Sequence, residues 1–167
     1  QVESYGIVPV IVLSEPSQGA PLAQALVAGG LPVAEVTLRS DAAIEGMRNI
    51  ALAEPDVLLG AGTVTRVDQV KASVDAGAKF IVTPGFNPAV VDYCLGEGLP
   101  VYPGISGTGE IEQALARGIE VVKFFPAEAL GGVPMLKALS GPYRGLRFMP
   151  TGGINPANLD SYLFLSQ

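Results

Sequence analysis

The feature that most constrains this chain is a regular alternation of short β-branched runs with amphipathic stretches of ten or so residues. Strands are predicted over Ile7–Leu13, Val33–Arg39, Val57–Val64, Lys79–Gly85, Pro100–Ile105, Val121–Pro126 and Arg147–Gly152. Between them, helices are predicted over Ala20–Ala28, Asp41–Ala53, Arg66–Ala76, Pro88–Glu97, Gly109–Arg117 and Val133–Ser140. A seventh is predicted from Asn155–Pro156 to about Leu165. Gly29, Gly77, Gly98 and Gly118 stand where helices should stop. Alternation at this spacing means βαβ units on a parallel sheet. No linker, charge block or low-complexity segment interrupts residues 1–167, so a single domain is expected.

The strand ends separate two kinds of parallel sheet. An open, doubly wound sheet buries both faces of its central strands and keeps them apolar. Here polar residues take alternate positions toward the C-terminal ends: Glu35, Thr37 and Arg39, then Thr63, Thr83, Lys123 and Thr151. Gly and Pro crowd the same ends. A (β/α)8 TIM barrel whose C-terminal rim carries the chemistry predicts that pattern. Only about seven βα units can be counted, and an eighth is apparently lacking. An unclosed sheet would leave the edges of its first and seventh strands unpaired.

The absence of histidine from the 167 residues limits the chemistry. It excludes His-based metal sites and the Ser-His or Cys-His pairs of nucleophilic hydrolases. The lone Cys94 excludes an internal disulfide and reads as a small buried residue. A net charge of −6 offers no basic stripe for nucleic acid. No apolar run is long enough for a membrane span, and no signal-peptide pattern opens the chain. A cytoplasmic location is the default expectation.

Proton transfer must therefore rest on Glu, Asp, Lys, Tyr or water. Of the lysines, Lys71, Lys79 and Lys137 read as solvated, whereas Lys123 lies in Val121-Val-Lys-Phe-Phe-Pro126 with apolar neighbours on every side. A lysine so placed either pairs with a carboxylate or loses charge by desolvation. A free amine attacks carbonyls to give an imine, which then draws electrons from an adjacent carbon–carbon bond. A structural Lys–Glu pair fits the same residues. Alternation puts Glu35, Thr37 and Arg39 on one strand face. If that face is interior, Glu35 is a buried carboxylate, the natural partner of Lys123 and a natural proton shuttle. Arg39 suits bidentate capture of a carboxylate, or a surface ion pair. Thr63, in Gly60-Ala-Gly-Thr-Val64, could hydrogen-bond a carboxylate or carbonyl. Thr151-Gly152-Gly153 is either a tight turn or part of a phosphate cradle.

Taken in order, several segments resemble the 2-keto-3-deoxy-6-phosphogluconate (KDPG) and 4-hydroxy-2-oxoglutarate (KHG) aldolase family. They include Gly60-Ala-Gly-Thr-Val64, Thr83-Pro-Gly85 and Pro150-Thr-Gly-Gly-Ile154, and the most specific are Val122-Lys-Phe-Phe-Pro-Ala-Glu128 and Glu35-Val-Thr-Leu-Arg39. The resemblance covers essentially the whole chain. It implies a class I aldolase that releases pyruvate from a 2-oxo-4-hydroxy acid, with Lys123 as the Schiff-base lysine and Glu35 as general acid/base. Arg39 and Thr63 then hold the pyruvate carboxylate, Pro84 and Phe125 form pocket walls, and Thr151, Gly152 and Gly153 form part of a phosphate site. It further implies a cytoplasmic homotrimer that needs no metal or organic cofactor and acts on a small 2-oxo acid, with neither nucleic acid nor membrane as partner. The family's eighth strand and helix, with a Gly-Gly-Ser-type segment, have no counterpart here. Two other readings remain open on the residues: a catalytically impaired barrel fragment, or a phosphate-binding barrel of different chemistry.

Overall fold

The computed structural model describes residues 2–163 and 165, arranged in two compact units. The first unit comprises residues 1–83 and 87–101. It holds strands β1 (Val10–Ile11), β2 (Val33–Thr37), β3 (Leu58–Gly62) and β4 (Phe80–Val82) and helices α1 (Gly19–Ala28), α2 (Ala43–Ala53), α3 (Val67–Asp75) and α4 (Pro88–Gly96). Strand β5 (Val101–Tyr102) extends the sheet, whose order is β1-β2-β3-β4-β5. The pairs β1–β2, β2–β3 and β3–β4 are parallel. All five residues of β2 and all five of β3 are buried, as strands sandwiched on both faces should be. Apolar side chains on one face of each helix complete this core, among them Met47 and Ile50 of α2 and Val90 and Val91 of α4.

The second unit comprises residues 84–86 and 102–167. Its strands β6 (Gly104–Ile105), β7 (Val121–Phe124) and β8 (Arg147–Pro150) form a parallel sheet in that order. Helices α5 (Thr108–Leu115), α6 (Gly132–Ser140) and α7 (Leu159–Leu163) accompany it. Ile105, Ile111, Val122, Phe124 and Leu136 make its core.

Local chemistry explains the boundaries. Helix α4 starts where Asn87 accepts a hydrogen bond from the Ala89 N–H at 3.0 Å, with Pro88 in the first turn. It ends where the Leu99 N–H reaches back to the Cys94 carbonyl at 2.8 Å, around the left-handed Gly98. Three other helices stop the same way. At α1 the left-handed residue is Gly30, at φ 74°, one position beyond the expected Gly29.

The strands are shorter than the sequence suggests, and Arg39, Val64, Gly85, Pro126 and Gly152 lie in the loops that follow them. The first strand keeps only Val10–Ile11 of the expected Ile7–Leu13. Pro9 has no N–H to give, although its carbonyl accepts from the Glu35 N–H at 2.9 Å. The expected fifth strand is broken at Pro103 into β5 and β6 for the same reason, and the Pro103 carbonyl accepts from the Lys123 N–H at 2.8 Å. The seventh helix begins at Leu159, not Asn155. Asn155 and Asn158 instead spend their side chains on turns, with Asn155 accepting from the Ala157 N–H at 2.9 Å and Asn158 from the Asn155 N–H at 2.8 Å. Phe164, near the expected helix end, lies outside the described residues.

Candidate active site

In the first unit lie three of the sequence-derived residues, Glu35 within β2 and Arg39 and Thr63 just beyond the ends of β2 and β3. Glu35 is central in β2 and 1% exposed, a buried carboxylate in a strand whose five residues are all buried. A methyl group built on Gly62 would lie 2.1 Å from a Glu35 carboxylate oxygen, so the carboxylate occupies the space that a side chain at 62 would need. Gly60 plays the corresponding part for Phe80, whose ring sits 2.1 Å from the equivalent point. The two glycines thus seat a carboxylate and an aromatic ring.

Thr63 follows β3 with φ at 60°, the left-handed region, which costs a β-branched residue on the order of 1–3 kcal/mol. It is the only non-glycine residue in that region among those described. Its hydroxyl accepts a hydrogen bond from Arg39 Nε at 3.3 Å. Arg39 itself is exposed, in the loop after β2. Thr37, one pleat before it, is committed elsewhere: its hydroxyl donates to the Ile11 carbonyl at 2.9 Å.

In the second unit, Lys123 is central in β7 and 2% exposed. Parallel register places it between Gly104 of β6 and Met149 of β8. Gly104 is close-packed, since a methyl group there would fall 2.3 Å from the Pro84 carbonyl. Pro84 thus reaches the neighbour of Lys123 through its backbone. The Lys123 ammonium nitrogen lies 5.3 Å from the centroid of the Phe125 ring, within range of a cation–π attraction. Phe125 also packs against the loop after β8: a methyl group on Gly152 would meet its ring at 3.3 Å. Thr151 and Gly152 are tied to the β7 loop through their carbonyls, which accept from the Ala127 and Glu128 N–H groups at 2.8 and 3.1 Å. Gly152 and Gly153 both have positive φ, at 102° and 81°.

The structure thus brings together Glu35, Arg39 and Thr63 in one unit, and Pro84, Lys123, Phe125, Thr151, Gly152 and Gly153 in the other. Sequence reasoning missed two contributors. Gly62 could have been found, because it pairs in register with Thr37, two residues beyond Glu35, on the neighbouring strand. Tyr162 could not, because its partner, Glu128, is 34 residues away. Among the described residues, no cluster of three or more His, Cys, Asp or Glu side chains is placed to hold a metal ion. No helix among them is long and apolar enough to cross a membrane.

The family model for KDPG and KHG aldolases matches residues 1–167. The chain belongs to the KDPG and KHG aldolase family. It is 51% identical to the 2-dehydro-3-deoxy-phosphogluconate aldolase of Treponema pallidum over 97% of this chain and 77% of that one. Against the KHG/KDPG aldolase of Escherichia coli K12, identity is 44% over 95% of this chain and 75% of that one. The chain therefore spans about three quarters of the length of these relatives. Among solved structures, the KDPG aldolase of Legionella pneumophila superposes with a TM-score of 0.91 at 44% identity, covering 95% of this chain and 77% of that one. That structure holds pyruvate as a covalent carbinolamine intermediate. The fold class is accordingly α/β, of the TIM-barrel class I aldolase type. Members of the KDPG and KHG aldolase family are aldehyde-lyases.

Proposed function

We propose that this protein cleaves 2-dehydro-3-deoxy-6-phosphogluconate reversibly to pyruvate and glyceraldehyde 3-phosphate through an imine on Lys123. The observation that carries this reading is a lysine 2% exposed at the centre of β7, in a member of an aldolase family with a relative that captures pyruvate covalently. The Lys123 amine adds to the C2 ketone of the substrate to give a carbinolamine, and loss of water gives a protonated imine. The imine accepts the electron pair of the C3–C4 bond as that bond breaks, while Glu35 takes the proton of the C4 hydroxyl and the aldehyde leaves. Protonation of the resulting enamine at C3 and hydrolysis of the imine then release pyruvate and restore the amine.

Arg39 and Thr63 hold the pyruvate carboxylate in this reading, supported by their mutual hydrogen bond and by the forked geometry of a guanidinium. Pro84 and Phe125 wall the pocket. Thr151, Gly152 and Gly153 receive the phosphate, an assignment supported by the left-handed glycine pair. The chain acts as one barrel domain in a cytoplasmic homotrimer without a cofactor. A second substrate, 4-hydroxy-2-oxoglutarate, giving pyruvate and glyoxylate, is supported by the dual name of the E. coli relative.

The test is intact mass spectrometry after incubation with pyruvate and borohydride. One reduced pyruvate adduct, mapped by peptide fragmentation to Lys123, is the expected result. An unmodified protein, or an adduct on another lysine, would refute the mechanism.

A further inference from the structure

We infer that Glu128 and Tyr162 form a positioning pair that fixes the Gly152–Gly153 backbone and so sets the preference for a phosphorylated substrate. The inference rests on the reading of that loop as the phosphate site. It concerns two residues that have no part in the imine chemistry.

Glu128 stands five residues after Lys123, on the loop that continues β7. The Tyr162 hydroxyl of α7 donates to its carboxylate. Tyr162 is 8% exposed while Glu128 is exposed, so the hydrogen bond is part-buried, with its donor side covered. Burial and the adjacent carboxylate push the phenol up to about 12, which keeps the donor proton in place throughout the neutral range. Held in this way, the Glu128 stem lies against Gly153: a methyl group built there would fall 2.7 Å from both Cβ and Cγ. The Glu128 N–H donates to the Gly152 carbonyl at 3.1 Å. On the opposite side, the side-chain amides of Asn155 and Asn158 donate to the Gly153 carbonyl at 3.2 and 3.1 Å. The two glycines are therefore gripped from the β7 loop and from the α7 approach together.

Gly132 shows how closely this arrangement is fitted. A methyl group there would meet the Glu128 carboxylate at 2.9 Å and the Tyr162 hydroxyl at 3.0 Å. A side chain there would crowd the pair and strain a backbone at φ 56°. A free loop of two left-handed glycines would sample many backbone states, and binding an anion through it would cost that freedom. Clamping the loop in advance reduces that cost, but only for a substrate that uses the loop.

The test compares two substrates in Tyr162→Phe, Glu128→Ala and Glu128→Gln variants of the full chain. Losing the hydroxyl or the carboxylate should raise KM for 2-dehydro-3-deoxy-6-phosphogluconate by roughly five- to ten-fold, the effect of one lost hydrogen bond. KM for the unphosphorylated 4-hydroxy-2-oxoglutarate, kcat on both, and borohydride trapping of pyruvate should stay within about twofold of wild type, since none of them draws on the clamped loop. Glu128→Gln keeps an acceptor oxygen and the packing stem, so it should behave as wild type. Tyr162→Phe preserves the ring, and its circular dichroism melt controls for folding. Equal changes for both substrates, no change for either, or a Gln variant as impaired as the Ala variant would each overturn the pairing. Wild-type protein that trapped no pyruvate would instead defeat the aldolase reading, and the pair would lose its assigned substrate with it.

Discussion

Arg39 Nε donates to Thr63 Oγ1 at 3.3 Å, joining the ends of two neighbouring strands through a threonine whose backbone is held at φ 60°. The strain and the hydrogen bond belong together, because the left-handed turn is what directs this hydroxyl toward the guanidinium. Replacing Thr63 with Gly should relieve the backbone and leave stability unchanged or raised by about 1 kcal/mol. The same change removes the hydroxyl, so half-maximal trapping should need about five-fold more pyruvate. Thr63→Ser, which keeps the hydroxyl, should bind as wild type does. Chemical denaturation beside a trapping titration would check both halves, and a variant that lost stability and kept affinity would contradict them.

Gly62 and Gly60 look alike in sequence but should respond differently to a methyl group. At Gly62 the obstacle is the side chain of Glu35, as buried as Phe80 but with more torsional freedom than a ring. Gly62→Ala should therefore fold and lose roughly 100-fold in kcat, the scale of a displaced general acid/base. At Gly60 the obstacle is the ring of Phe80, which is 1% exposed and has nowhere to go. Gly60→Ala should cost about 1–3 kcal/mol of stability through overpacking. Steady-state rates and thermal melts on the two variants would separate the roles.

Lys123→Met should abolish both the pyruvate adduct and turnover, because no other lysine among the described residues lies buried on a strand. Lys79, in the residue before β4, donates its ammonium to the Pro55 carbonyl at 2.8 Å and is exposed. Lys79→Met should leave trapping intact. Turnover surviving in the Lys123 variant would mean another chemistry.

Alkaline stability should reveal the buried thiol. Burial pushes Cys94 up to about 11, above its range in an unfolded chain. The folded state thus holds the proton that the unfolded state gives up. The resulting stability is complete below about pH 9 and is lost as pH rises toward 11, a loss of roughly 2 kcal/mol. Tyr162 adds a similar trend at higher pH. Urea midpoints measured between pH 8 and 10.5 should fall more steeply in wild type than in Cys94→Ala. Parallel curves would contradict the assignment.

The features legible in the sequence were those written in local periodicity. Alternation along Val33–Thr37 marked Glu35 as interior, and five apolar neighbours marked Lys123 as buried. Strand–helix spacing marked the strand pairing as parallel, though not its division into two sheets. What escaped was set by groups distant in sequence or by backbone states that side chains do not announce. Nothing in a threonine signals a left-handed φ. Nothing near Tyr162 points to Glu128. Asn155–Pro156 reads as the start of a helix, yet the two asparagines hold the carbonyl of Gly153 instead.

The pairing of Lys123 with Gly104 bears on how reliably the chain finds its active form. Val121, Val122, Phe124 and Phe125 are all apolar, so hydrophobicity alone would accept β7 in either orientation. A slip of one residue would exchange the two faces of the strand and turn the amine toward the helices. Lysine is the one side chain in the run for which that error is expensive. The lysine proposed to form the imine would therefore also proofread the fold, and its methionine variant is an imperfect stand-in for the native chain in any study of its assembly.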